Sequence, residues 1–311
     1  MDHLVAALAA RRFHLEGATK SQIAAELGVS RFKVAKILED AVRDGVVRIE
    51  VVPPADVDLE LSSRVARHLG LRQAVVVRAG GAAEEREQRD RLLGLAAREV
   101  LAAVLSEESV LGVSWGRTLY AVVDVLRDLR AAEVVQLVGS PPGAQLALTS
   151  VDLVRRLGEV TRGVVHPLHV PLTVADARLA RGLREDPQIA ATTSAFSRVS
   201  HALVGIGAFA AGTSSLHDVL PDDLVGRLVA GGAVGDVCCT VVDADGRPVA
   251  GEDVEAHCLA IGRAELARVP DVTAVAGGVE KAAALRAVAR SGLVHRLITD
   301  SAAAETVLDL S

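Results

Sequence analysis

Two stretches place glycines, hydroxyls and a cation where a β-like run gives way to a helical one. The first is Gly112-Val113-Ser114-Trp115-Gly116-Arg117-Thr118. Glycine lets a ligand approach the backbone, and the unpaired N–H groups at the start of the next helix attract an anion. Ser114 and Thr118 add hydroxyls. The second stretch is Ala276-Gly277-Gly278-Val279-Glu280-Lys281, where a glycine pair precedes a helix start and Lys281 falls within its first turn. Either loop alone reads equally well as a tight turn with a surface cation. Two of them at strand C-terminal ends, where open parallel sheets hold ligands, point to an anion site.

The first stretch also matches Gly-x-Ser-x-Gly, the nucleophile elbow of serine hydrolases. Ser114 would be the nucleophile, and Asp243, Asp245, His257 and His295 follow in the required chain order. No His-Gly-Gly segment precedes it to supply an oxyanion hole, so hydrolysis is the lesser reading. Gly205-Ile206-Gly207-Ala208-Phe209-Ala210 fits Gly-x-Gly-x-x-Ala, but the next residues, Ala211-Gly212-Thr213-Ser214-Ser215, do not open a helix. A loop that lines a ligand is favoured over a dinucleotide fingerprint. Asp236, after Gly235, reads as a turn former or as an acceptor for ligand hydroxyls. Cys238, Cys239 and Cys258 lack the paired spacing of a structural zinc site and read as small core residues. His166 and His169 have no nearby carboxylate, and a turn or core role is favoured over a metal. No metal or cofactor is expected.

A different chemistry lies at the front. Thr19 can cap a short helix that turns Ile23, Ala24 and Leu27 inward. Gly28 supplies the bend, Val29 plugs the interface, and Ser30 caps a second helix burying Val34, Ile37, Leu38 and Ala41. The other face of that helix offers Arg31, Phe32, Lys33 and Lys36, with Lys20 nearby in sequence. This is a helix-turn-helix with a cationic face in its first two turns, where a recognition helix meets the major groove of double-stranded DNA. The bland alternative is a helical hairpin with a solvated basic face. One copy with so few cations binds weakly, so a dimer or higher homo-oligomer reading repeated half-sites is expected.

The elements that position these groups follow from composition and pattern. The chain has 311 residues, of which 50% are hydrophobic and only 2% aromatic, so its core is built from Ala, Val and Leu. Net charge is −6, which excludes a basic nucleic-acid coat and leaves DNA contact to a local patch. Residues 1–52 carry a net +1 and hold three of the four lysines. Pro53-Pro54 marks a break, giving a helix-turn-helix domain at 1–52, a linker at 53–58 and a larger domain at 59–311. Residues 46–52 look β-like. In the larger domain, strand-like runs at 74–78, 109–113, 134–138, 201–206, 237–242, 272–276 and 294–299 alternate with helical ones at 84–105, 117–129, 148–157, 176–183, 187–196, 221–229, 279–290 and 301–308. Nearly all-apolar strands between helices imply a Rossmann-like, mainly parallel α/β sheet covered on both faces. The longest uncharged apolar run, 202–212, is too short for a membrane helix. An odd cysteine count and no signal-like N-terminus fit the reducing cytoplasm.

Taken together, the ordered stretches Ser21–Ser30, Asp44-Gly45-Val46-Val47, Gly112–Leu119, Val135-Gln136-Leu137-Val138-Gly139, Asp152–Leu157, Leu203–Gly207, Gly232–Asp236, Val275–Gly278 and Leu297–Asp300 resemble the SorC family of sugar-binding transcriptional regulators. The resemblance covers nearly the whole chain. It implies an N-terminal helix-turn-helix and a C-terminal effector domain similar to sugar-phosphate isomerases, without retained enzyme activity. Retained isomerase activity is the alternative within that fold. It further implies a sugar or sugar-phosphate effector held by Ser114, Trp115, Gly116, Arg117 and Thr118, by Gly205, Gly207 and Ala208, by Asp236, and by Gly277, Gly278 and Lys281. A homodimer or tetramer on an operator is the implied assembly.

Overall fold

The computed structural model describes residues 3–49, 56–79, 83–142 and 150–310. The chain divides into two compact units, Met1–Pro53 and Pro54–Ser311. Of the proline break and linker, residues 53–55 lie outside the described part, as do residues 50–52 of the β-like stretch. Residues 56–58 are stitched to the first strand, with Val57 bridging Val77 and the Arg78 amide donating to Asp56 O at 2.7 Å.

The first unit is three helices, α1 (His3–His14), α2 (Lys20–Leu27) and α3 (Arg31–Arg43). A reciprocal cap starts α2: the Gln22 amide donates to Thr19 Oγ1 at 3.2 Å, and the Thr19 amide donates to Gln22 Oε1 at 2.8 Å. Gly28, at φ 64°, ends it in the left-handed conformation that glycine adopts without strain. Ser30 Oγ then accepts from the Lys33 amide at 3.2 Å and starts α3. The core is mostly alanine and small aliphatics: Ala6, Ala9 and Ala10 of α1 meet Ile23, Ala24, Val34, Ile37, Leu38 and Ala41. Small side chains let the three helices approach closely. Val29, expected to plug the interface, is instead at the surface, because Gly28 has already turned the chain outward. Residues 46–49 form no strand; no strand in the described residues pairs with them.

The second unit opens with α4 (Leu59–Leu69), β1 (Gln73–Val77), α5 (Ala83–Val104), β2 (Val110–Val113), α6 (Arg117–Val125), β3 (Glu133–Gln136), α7 (Ser150–Thr161) and β4 (Val164–His166). It continues with α8 (Ala177–Glu185), α9 (Pro187–Thr193), β5 (His201–Gly205), β6 (Gly207–Ala208), α10 (Asp222–Ala230), β7 (Gly235–Val237) and β8 (Thr240–Val242). It closes with α11 (Gly251–His257), α12 (Arg263–Leu266), β9 (Asp271–Val275), α13 (Ala282–Arg290), β10 (Arg296–Asp300) and α14 (Ser301–Asp309). Seven strands form one parallel sheet in the order β1-β10-β9-β5-β2-β3-β4. Strand residues alternate between two apolar layers. Val134, Leu203 and Val275 join α5, α6 and α7 on one face, while Val135, Val204 and Ala274 join α4, α13 and α14 on the other. This is the doubly covered parallel sheet that the apolar strands implied.

One expected strand, 237–242, is two strands. β7 and β8 are antiparallel, and Cys238 and Cys239 form the two-residue connection between them at φ 47° and 64°. Such a tight hairpin needs left-handed residues at both central positions. The run therefore folds back on itself despite carrying neither Gly nor Asn there. β6 joins the same small antiparallel sheet, in the order β6-β7-β8.

Candidate functional site

The parallel sheet changes winding direction between β2 and β5. From β2 the chain moves outward through β3 and β4; from β5 it moves the other way through β9 and β10. Adjacent strands whose connections depart to opposite sides leave a crevice beyond their C-terminal ends. Ser114 follows β2 and Gly205 ends β5, so both sit at that crevice. The Ser114 amide donates to Leu203 O and the Gly205 amide donates to Ser114 Oγ, each at 3.1 Å, tying the two strand ends together.

A cavity of about 180 Å³ opens there. Ser114, Trp115, Gly116, Arg117 and Thr118 line it from the β2–α6 loop. No side chain caps α6 at Gly116, so its first-turn amides are open to a ligand. The Arg117 guanidinium donates to Gly212 O at 2.7 Å and bridges to the loop after β6. From that loop Gly212, Thr213 and Ser215 face the same space, in the segment read from sequence as ligand-lining.

Asp236 and Lys281 close the crevice from the small sheet and from the turn after β9. Asp236, on β7, accepts from Ser214 Oγ at 2.5 Å. A side chain on Gly207 would strike Asp236 Oδ1 at 2.2 Å, so glycine at that position makes room for the carboxylate. Burial pushes the Asp236 carboxyl above its ordinary value, against the Ser214 hydrogen bond and the charge of Lys281. The Lys281 ammonium donates to Ile206 O at 2.8 Å, and burial lowers its pKa while Asp236 opposes that shift. Asp236 and the Lys281 ammonium, both partly desolvated, thus face the pocket beside hydroxyls and open amides.

The glycine pair has a firm anchor. The Gly278 amide donates to Asp300 Oδ2 at 2.6 Å, and the Ala303 amide donates to Asp300 Oδ1 at 2.8 Å at the start of α14. A Cβ on Gly277 would meet Asp300 Oδ2 at 2.4 Å and Leu93 Cδ1 at 3.1 Å. Gly278 has φ 105°, which a side chain rarely tolerates.

Of the twelve residues expected at the effector site, ten line this cavity. Ala208 and Gly278 do not: Ala208 pairs with Gly235 in the small sheet, and Gly278 is held back by Asp300. Sequence reasoning missed Arg86, Arg89 and Asp90, which α5 brings to the rim; Arg89 Nε lies 3.2 Å from Asp90 and 3.9 Å from Asp300. Their only signal was a mixed charge run, which normally marks a solvated helix face. The hydrolase arrangement does not form. Ser114 is buried, its hydroxyl oxygen accepts from a backbone amide, and no histidine lines the cavity. Among the described residues no group of three or more metal-binding side chains assembles, and no helix is long and apolar enough to cross a membrane.

On the first unit, Lys20, Ser30, Arg31, Phe32, Lys33 and Lys36 are all exposed. Phe32 is 77% exposed, which is unusual for phenylalanine and leaves its ring free for contact on the cationic face of α3. The Arg31 guanidinium stands 5.5 Å from its centroid. Arg12 of α1 binds Glu26 of α2 and Glu16, fixing the helices behind that face.

Comparison with known proteins gives the family and the fold. Residues 54–309 match the Sugar-bind family, described as "Putative sugar-binding domain". The transcriptional regulator LsrR of Klebsiella pneumoniae is 28% identical over 313 aligned positions, covering 100% of this chain and 94% of the relative. The transcriptional regulator YjhU of Escherichia coli K12 is 29% identical, covering 95% of this chain and 92% of the relative. The full-length sorbitol operon regulator SorC of Klebsiella pneumoniae superposes with a TM-score of 0.74 at 22% identity, over 99% of both chains. A transcriptional regulator from Streptococcus pneumoniae gives a TM-score of 0.73 over 80% of this chain and 96% of its own.

Proposed function

Since this chain belongs to the sugar-binding domain family of SorC-type transcriptional regulators, we propose that it is a DNA-binding regulator controlled by a sugar or sugar phosphate held in the crevice between β2, β5 and β9. The observation that carries this reading is the meeting of the uncapped α6 start, Asp236 and Lys281 around one cavity. Together they suit the two kinds of group on a phosphorylated polyol. Backbone amides and an ammonium favour a phosphate, and a carboxylate accepts from hydroxyls. The relatives are transcriptional regulators rather than enzymes, and the buried Ser114 has no base.

The exposed cations of α3 are the proposed contacts to operator DNA. Lys33 and Lys36 pair with phosphates or guanine edges, and the cap at Ser30 aims the helix. A homo-oligomer presents two or more such helices. The effector shifts the balance between arrangements of that oligomer only as far as it binds them unequally. Fluorescence anisotropy on DNA upstream of the gene, titrated with a panel of sugar phosphates, tests the reading. At least one is expected to shift operator affinity several-fold. Affinity insensitive to every sugar and sugar phosphate tried would overturn the effector half.

A further inference from the structure

A second cavity, of about 500 Å³, lies across the Cys238–Cys239 turn from the first and shares both cysteines as a wall. One part of its wall is apolar, where Leu168, Val170, Ile189, Phe196, Leu259 and Ile261 are all buried. Among four charged side chains that reach it, three are committed or turned outward. Arg184 donates to the carbonyls of Glu255 and Cys258 at 2.5 and 2.6 Å, Glu265 accepts from the Gly262 amide at 3.0 Å, and Glu255 is exposed. Arg263 is the exception. Its Nε is enclosed by protein, and among the described residues the guanidinium has no hydrogen-bond partner and no ion pair.

A guanidinium without a protein partner at the wall of such a chamber keeps its terminal N–H donors for an anion. A ligand with a carboxylate head and an apolar body satisfies both halves of the site. The carboxylate takes the Arg263 donor in a charge-assisted bond, and the body covers the aliphatic wall. Neither the anion site of the first cavity nor the family assignment calls for such a pocket.

We propose that this cavity is a second small-molecule site, selective for apolar monocarboxylates, with Arg263 as the anion-recognising residue. Calorimetric titration of the full chain with octanoate, and with octan-1-ol and octylammonium as neutral and cationic counterparts, tests it. Saturable one-to-one binding of octanoate is expected, at least ten-fold tighter than either counterpart. Arg263→Gln is expected to weaken octanoate at least ten-fold while leaving octan-1-ol unchanged. Ala190→Leu, which fills the chamber from α9, is expected to weaken both. Sugar-phosphate affinity serves as an independent control of folding and should be unaltered in Arg263→Gln. The proposal fails if octanoate does not saturate the folded protein, if octan-1-ol binds equally well, or if Arg263→Gln changes nothing. It also fails if Arg263→Gln alters only the sedimentation of the chain, which would assign the cavity to a protein contact.

Discussion

On α3 the candidate DNA contacts Arg31, Phe32, Lys33 and Lys36 are neighbours in sequence and stand out in solvent. In the α/β unit Ser114, Gly205, Asp236 and Lys281 come from four separate segments and turn into one crevice. A reading face can be built from one short helix, because DNA is large and comes to the protein. A pocket for a small ligand must surround it, and so needs several strand ends brought together by the whole sheet. Damage to the two should therefore look different: local and additive on α3, global in the crevice.

The largest separation is expected from Gly277→Val. Its side chain would collide with Asp300 and Leu93, costing about 1–3 kcal/mol of stability by overpacking and abolishing sugar-phosphate binding by calorimetry. Retained binding would mean that the turn after β9 is not part of the site. Lys33→Ala with Lys36→Ala sits at the opposite pole. Operator affinity should fall ten-fold or more, and the dependence of log K on log salt should flatten by about 2 if both lysines meet phosphates. Sugar-phosphate affinity should be untouched, and an equal loss in both assays would break the division between the units. Ser30→Ala removes a cap from α3 alone. It is expected to cost about 1 kcal/mol, seen as faster amide exchange across α3 with the large sheet unaffected.

The smallest effect sharpens the account of the crevice. Because the Asp236 carboxyl is raised in the folded chain, it favours the folded state fully below its unfolded pKa and loses that contribution as pH rises through its folded value. Above the unfolded pKa the buried acid is thus a burden on the fold. Asp236→Asn should raise the melting temperature at pH 7 by about 2 °C, with the gain vanishing in acid, while weakening sugar binding. A lower melting temperature at pH 7 would show that Ser214 and Lys281 over-compensate the burial.

How much of this was legible in sequence follows the same contrast. The cap at Ser30, the bend at Gly28 and the buried face of α3 are local, and all were read correctly. The two glycine loops were found because a strand, a glycine and a helix start leave a contiguous trace. What sequence could not show is what arrives from far along the chain. Arg86 and Arg89 reach the crevice only because α5 packs against β10 and the turn after β9. Asp300, the last residue of the Leu297–Asp300 stretch, is the residue that pins the glycine pair. The Cys238–Cys239 reversal was hidden because an apolar run with no turn former reads as one strand. Residues 46–49 failed in the other direction, since β-branched residues make a strand only beside a partner.

The crevice draws on strand ends that lie far apart in the chain yet side by side in the sheet. A metabolite lodged there would act as a clasp: no one of those segments could peel away without evicting it. Occupancy then opposes unfolding by mass action, worth about 2.7 kcal/mol at a hundred-fold excess over Kd. Heating the protein with one candidate compound after another would thus reveal its natural signal without any knowledge of the genes it governs.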